Sequence, residues 1–176
     1  SIIPAYEPEK ELTILVNQLV IELPDLEIVI INDGSNSQNS TTILEQLDEK
    51  PAVTVINHTR NKGKGAALKT GFRYVLNQNL TNGSVVTADA DGQHLASDII
   101  KVLNELKKTS LPILGVRSFD KETPIRSLFG NKITSFIYKI LSGKTLIDTQ
   151  TGLRAFPVRN LTDLIKISGD RYDYEM

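Results

Sequence analysis

Short runs of β-branched and aliphatic residues alternate along the chain with longer stretches whose apolar positions recur every three or four residues. The runs suited to buried strands are Ile2 to Ile3, Glu27 to Ile31, Val53 to Asn57, Val85 to Ala88 and Pro112 to Val116. After the first of them, Leu12, Leu15, Val16, Leu19 and Val20 fall at i, i+3, i+4, i+7 and i+8, which is one apolar helix face. Ile133, Phe136, Ile137, Ile140 and Leu141 form a second such face, and another helix is predicted to run from Asn61 through Leu68, Phe72 and Val75. Residues spaced in this way report burial rather than chemistry. Their alternation predicts an α/β fold built from βα units, with a mainly parallel sheet covered by helices on both faces. No repeat, low-complexity tract or Gly/Pro/Ser-rich linker divides the chain, so residues 1–176 are expected to form a single domain.

Composition narrows the chemistry more than the fold. With 176 residues, 40% of them hydrophobic, and a net charge of -1, the chain has the makings of a sizeable core and no global signature of nucleic-acid binding. It contains no cysteine, which leaves oxygen ligands, His58 and His94 for any metal and points to a hard cation. No apolar stretch approaches the length of a membrane span, and the start lacks a signal-peptide pattern, so a cytoplasmic location is expected. Because the chain opens inside an apolar run and stops at Met176 without a capping composition, it is expected to be an excerpt. Any association with a membrane surface would then come through segments outside it.

In an open parallel sheet, ligands bind beyond the carboxyl ends of the strands, so the polar turns that follow strands are where chemistry is expected. The turn Pro4-Ala5-Tyr6-Glu7-Pro8 offers a flat ring and an acceptor for a base or ribose, although a plain strand-to-helix turn explains it equally simply. Asn32-Asp33-Gly34-Ser35 offers Asp33 to the imino N–H of a uracil or guanine and Gly34 for a tight turn or a close ligand approach; an Asp-Gly turn also needs no ligand. Lys62-Gly63-Lys64-Gly65 opens a helix with exposed N–H groups and two positive charges, suited to a diphosphate or simply to a solvated basic helix start. It is neither a Walker loop nor a complete Gly-x-Gly-x-x-Gly fingerprint.

Asp89-Ala90-Asp91-Gly92-Gln93-His94 carries the sharpest signal. Two carboxylates one residue apart at a strand end can turn toward one cation, with Gly92 permitting the bend and Gln93 supplying another oxygen. Mg²⁺ or Mn²⁺ is the expected ion, bridging Asp89, Asp91 and Gln93 to a diphosphate, while His94 is either a ligand or a residue that orients the loop. Further along, Arg117 and Arg126 can meet an anionic acceptor or a departing diphosphate, and Asp148 in the turn Asp148-Thr149-Gln150-Thr151-Gly152 can act as a base or position an acceptor. Surface arginines and ordinary turn chemistry account for these residues just as well.

Taken in order, Pro-Ala-Tyr, Asn-Asp-Gly-Ser, Asn-Lys-Gly-Lys-Gly, Asp-Ala-Asp-Gly-Gln-His and Asp-Thr-Gln-Thr-Gly-Leu-Arg-Ala-Phe resemble glycosyltransferase family 2 over nearly the whole chain. The closest likeness is to the group of dolichyl-phosphate mannose synthases and polyprenyl-phosphate glycosyltransferases. That resemblance implies a GT-A fold, a Rossmann-like α/β domain binding a nucleoside diphosphate sugar (GDP- or UDP-linked) and a divalent cation. It places Pro4, Ala5, Tyr6, Glu7, Asp33, Gly34 and the Lys62 to Gly65 loop around the nucleotide. It also places Asp89, Asp91 and Gln93 at the metal, Asp89 and Ala90 against the bound donor, Arg117 and Arg126 at an acceptor phosphate, and Arg171 at the donor diphosphate. The first loop departs from the usual Tyr-Asn-Glu by reading Tyr-Glu-Pro, and the Gln-x-x-Arg-Trp motif of processive members is absent.

The expected reaction is an inverting transfer to a lipid phosphate, whose ionised oxygen needs no strong base; a glycan hydroxyl acceptor would need one, with Asp148 first in line. Two rival expectations are a nucleotidyltransferase, for which a Gly-rich basic loop near the start is missing, and a non-catalytic nucleotide-sugar binding module.

Overall fold

The computed structural model describes residues 1–80, 82–115 and 152–170. Its elements run β1 (Ile2–Ala5), α1 (Lys10–Glu22), β2 (Ile28–Asn32), α2 (Gln38–Asp48), β3 (Val53–Asn57), α3 (Lys64–Asn77), β4 (Ser84–Thr87), α4 (Ala96–Thr109), β5 (Ile113–Leu114), β6 (Arg154–Pro157) and α5 (Leu161–Lys166). A single 3-10 turn, Val158–Asn160, joins the last two.

The strands form one sheet in the order β3-β2-β1-β4-β6-β5. β1 lies parallel to both β2 and β4, and β2 is parallel to β3. Among the described residues β6 alone runs the other way, pairing antiparallel with β4 and with β5. The sheet is therefore mainly parallel, as the alternating pattern predicts. β6 was not among the predicted strands: it is four residues long, ends in Pro157, and gains strand character from the two neighbours between which it is inserted. The predicted helix face from Ile133 to Leu141 lies outside the described residues.

Period-two alternation in β1 and β2 divides the core into two layers. Ile3, Ile28 and Ile30 face Leu12, Val16 and Leu19 of α1, Leu44 and Leu47 of α2, and Ile99 and Leu106 of α4. Ile2, Val29 and Ile31 face the opposite way, toward Ala67, Leu68 and Phe72 of α3 and Leu161 of α5. All of β2 is buried, which explains why its sequence is an unbroken apolar run instead of an alternating one. Gly71, in the middle of α3, lets that helix lie directly on β1, because a Cβ there would stand 2.5 Å from Ile2 Cγ2. Phe72 meets Phe156 of β6 edge to face, with ring centres 6.3 Å apart.

Strand order reverses on either side of β1, and the turns after β1, β2, β3 and β4 all open at the same carboxyl edge. Backbone bonds fix the bases of these turns: Asp33 N donates to Ala5 O, His58 N to Asn32 O and Ala88 N to Ile2 O. On the far side, Gly115 N donates to Leu153 O at 2.8 Å, so the chain leaves β5 and re-enters β6 at adjoining points. Among the described residues no helix is long and apolar enough to cross a membrane.

Candidate active site

Three of the four turns singled out in the sequence are tied to one another through their own carboxylates. Glu7, with a positive φ of 48°, turns its carboxylate toward the start of α2, where Oε1 accepts from Asn36 N at 2.8 Å and Ser37 N at 3.3 Å. Hydrogen bonding to Ser37, and then to Asn36, holds this carboxyl down at about 2. Ser35 Oγ accepts from Glu7 N in return, so the turns after β1 and β2 are laced together. Tyr6, between Ala5 and Glu7, stays largely exposed, with its ring open to a planar partner. Pro4 and Ala5 form the last residues of β1, and Ala5 is buried.

Asp33 is buried, and it holds the turn that follows β3. Its Oδ1 accepts from Lys62 N at 2.9 Å and its Oδ2 from Gly63 N at 2.7 Å. His58 donates from Nδ1 to Oδ1 at 2.7 Å, while its Nε2 lies 2.9 Å from Thr70 Oγ1 on α3. Both side chains have partners within the chain. Asp33 spends its charge on its own chain, and His58, engaged on both ring nitrogens, is taken up by this relay instead of standing ready for a metal. Gly34, at φ 81°, is needed for a close approach, but the partner is again the chain: a Cβ there would collide with the backbone at Arg60 and Asn61.

The N–H groups expected to cradle a diphosphate are likewise largely committed. Lys62 N and Gly63 N point to Asp33, and Ala66 N, in the first turn of α3, donates to Asp170 O at 3.0 Å. What α3 presents to a ligand is then the Lys64 side chain together with the positive end of the helix.

That side chain reaches the fourth turn. Lys64 Nζ lies 2.5 Å from Asp89 Oδ1 just beyond the end of β4, and His94 Nε2 faces Asp89 Oδ2 at 3.5 Å. His94 is buried and its Nε2 has no hydrogen-bond partner among the described residues. Burial pushes the Asp89 carboxyl up, but the adjacent His94 and Lys64 outweigh it and bring it down to about 2, so the group is held ionised. Gly152, just before β6, packs against this carboxylate so closely that any Cβ would overlap it, and its carbonyl accepts from buried Thr87 Oγ1 at 2.8 Å. Neither contact has a local signal in the sequence, since it joins positions far apart in the chain.

Asp91, in contrast, is exposed and accepts from Gln93 N at 3.0 Å, which folds the bend back on itself around Gly92 at φ 80°. Ala90 packs partly against the core. Among the described residues no three His, Asp or Glu side chains converge as a preformed metal cage. The donors still suit a hard divalent cation. An ionised carboxylate faces a buried nitrogen that lacks a hydrogen bond, a second carboxylate stands two residues on, and such ions commonly complete their shell with phosphate and water. Arg117, Arg126, Asp148 and Arg171 lie outside the described residues.

Comparison with known proteins bears on the family and the fold. The model of the family described as Glycosyl transferase family 2 matches residues 1–161. The chain is 36% identical over 175 residues to UDP-N-acetylglucosamine--dolichyl-phosphate N-acetylglucosaminyltransferase of Methanococcus voltae, covering 88% of this chain and 67% of that protein. It is 25% identical over 182 residues to undecaprenyl-phosphate mannosyltransferase of Micrococcus luteus, covering 100% of this chain and 74% of that protein. Among solved structures, mannosyltransferase PcManGT from Pyrobaculum calidifontis, in complex with GDP-Man and Mn2+, superposes with a TM-score of 0.61 at 16% identity, covering 98% of this chain and 49% of that one. Glucosyl-3-phosphoglycerate synthase from Mycobacterium tuberculosis, in complex with Mn2+, UDP-glucose and phosphoglyceric acid, gives 0.63 at 17% identity, covering 99% and 61%. These two likenesses show the GT-A fold, and the chain spans only about half to three-fifths of their length. With the family match extending from β1 through the first residue of α5, the chain belongs to glycosyl transferase family 2 and is a glycosyltransferase.

Proposed function

We propose that this chain is the donor-binding catalytic domain of a metal-dependent inverting glycosyltransferase that moves a sugar from a nucleoside diphosphate sugar to a polyprenyl phosphate of the dolichyl type. The observation that carries the proposal is the meeting of Asp89, ionised and mostly buried after β4, with Lys64 on the first turn of α3. A carboxylate suited to a cation and a helix start suited to a diphosphate share one spot beside β1, where the strand order reverses. The names of the relatives in Methanococcus voltae and Micrococcus luteus support a lipid-phosphate acceptor.

In this assignment Asp89, Asp91 and Gln93 hold the cation, with His94 keeping Asp89 in place. When bound, a Mg²⁺ or Mn²⁺ ion would offset the negative charge that grows on the leaving diphosphate. Exposed Tyr6 supplies a surface on which the base can stack, and Glu7 and Asp33 set the shape of the nucleotide pocket by fixing the loops on either side of it. Arg117 and Arg126 are assigned to the acceptor phosphate and Arg171 to the donor diphosphate. An acceptor of this kind arrives already ionised, so catalysis rests on positioning and electrostatics more than on a base.

Transfer from GDP- and UDP-sugars to a short-chain polyprenyl phosphate, assayed with Mn²⁺ or Mg²⁺, tests the proposal. Asp89→Asn and Asp91→Asn are each expected to lower turnover by roughly hundredfold or more, the scale set by removing an electrostatic stabiliser of a developing anion. Wild-type turnover in both variants would overturn it.

A further inference from the structure

The Asp89 carboxylate is enclosed on every side that the described residues reach. Gly152 presses against it, His94 Nε2 faces Oδ2 at 3.5 Å, and Lys64 Nζ occupies Oδ1 at 2.5 Å. The lysine and aspartate side chains are only 23% and 20% exposed, so solvent screens the pair weakly. Of the three neighbours, Gly152 is held through its carbonyl by Thr87 and His94 is buried, whereas Lys64 ends a flexible four-carbon stem. A cation approaching Oδ1 must displace an ammonium that is already there.

We propose that Lys64 is a displaceable counter-ion for Asp89: it holds the acid ready while the cation is absent, and it gives up Oδ1 when the cation arrives together with a diphosphate. This rests on the cation assignment made above and adds a competition to it. Lys64 starts α3, so an ammonium displaced from Asp89 remains at a helix N-terminus, where a diphosphate is favoured. Diphosphate and cation then help each other onto the protein, since each takes one member of an ion pair that would otherwise close on itself. A site arranged in this way binds the cation weakly until the donor is present.

The test is a Mn²⁺ titration of the folded protein at fixed ionic strength, following the electron paramagnetic resonance signal of unbound Mn²⁺. Without nucleotide, Lys64→Met is expected to bind Mn²⁺ about tenfold more tightly than wild type, the factor expected if the pair closes Asp89 about nine-tenths of the time. Lys64→Arg, which keeps the charge, should stay close to wild type, and Asp89→Asn should bind more weakly. Adding GDP or UDP should then tighten Mn²⁺ binding by a larger factor in wild type than in Lys64→Met. Should the Met variant fail to fold, as judged by circular dichroism, Lys64→Gln carries the same expectation. Equal or weaker Mn²⁺ binding by the charge-free variants, with Asp89→Asn impaired, would overturn the competition and leave the cation site standing. An unchanged Mn²⁺ affinity in Asp89→Asn would instead remove the cation assignment and the competition with it.

Discussion

Glu7 and Asp33 follow neighbouring strands, and each spends its charge on backbone N–H groups of its own chain. For Glu7 the consequence is a dependence on pH. Its folded pKa is lowered from 4.5 to about 2, so its contribution to stability is complete above the ordinary glutamate range and fades as pH falls through that window. Glu7→Gln is expected to unfold at a lower temperature than wild type near neutral pH, with the two melting curves converging as the acid limit is approached; parallel curves across the range would contradict this. The sequence showed that these acids stand at strand ends, which is where chemistry collects. It could not show what they hold, because Asp33 meets residues near position 60 only after β2 and β3 have paired.

At the scale of elements, periodicity was a dependable guide wherever one face is buried. The predicted apolar stripe of α1 supplies Leu12, Leu15, Val16 and Leu19 to the core, and the helix expected after Asn61 is α3. Periodicity failed at β6, where four residues ending in proline offer no alternation to read and only the β4 and β5 partners make a strand. Gly71 shows a similar conflict between local and tertiary preference. Alanine would favour the helix by about 1 kcal/mol. Its Cβ would also be forced into Ile2, which is 1% exposed and has nowhere to move, and overpacking of that kind costs about 1–3 kcal/mol. Gly71→Ala is therefore expected to be destabilising in urea unfolding despite the gain in propensity, and a more stable variant would show that the helix can shift off β1.

Across the whole molecule, the far end of the described chain is tied back to the donor side. Lys69, buried in α3, donates to Gly169 O at 2.5 Å and to Asp170 Oδ1 at 3.0 Å, beside the bond from Ala66 N to Asp170 O. Removing the amine forfeits hydrogen bonds to acceptors that stay partly open to water, at a cost of about 0.5–1.5 kcal/mol. Lys69→Met should lower stability by that amount and speed amide exchange at Ala66 and through α5, whereas exchange that rises only at remote sites would argue against the tie. Such contacts explain why the site was legible as an ordered set of motifs but not as an arrangement. Lys64 meets Asp89, Thr87 meets Gly152 and Lys69 meets Asp170 only once the sheet is complete.

The pairing of Gly115 with Leu153 bears on the order in which the sheet can form. Leu114 is the register partner of Arg154 and Ile113 of Ala155, so β5 and β6 join positions far apart in the sequence. Contacts of such long sequence separation must meet the entropy of loop closure before they gain from pairing. The antiparallel edge is thus expected to form after β1, β2 and β3 have paired, since those strands follow one another closely along the chain.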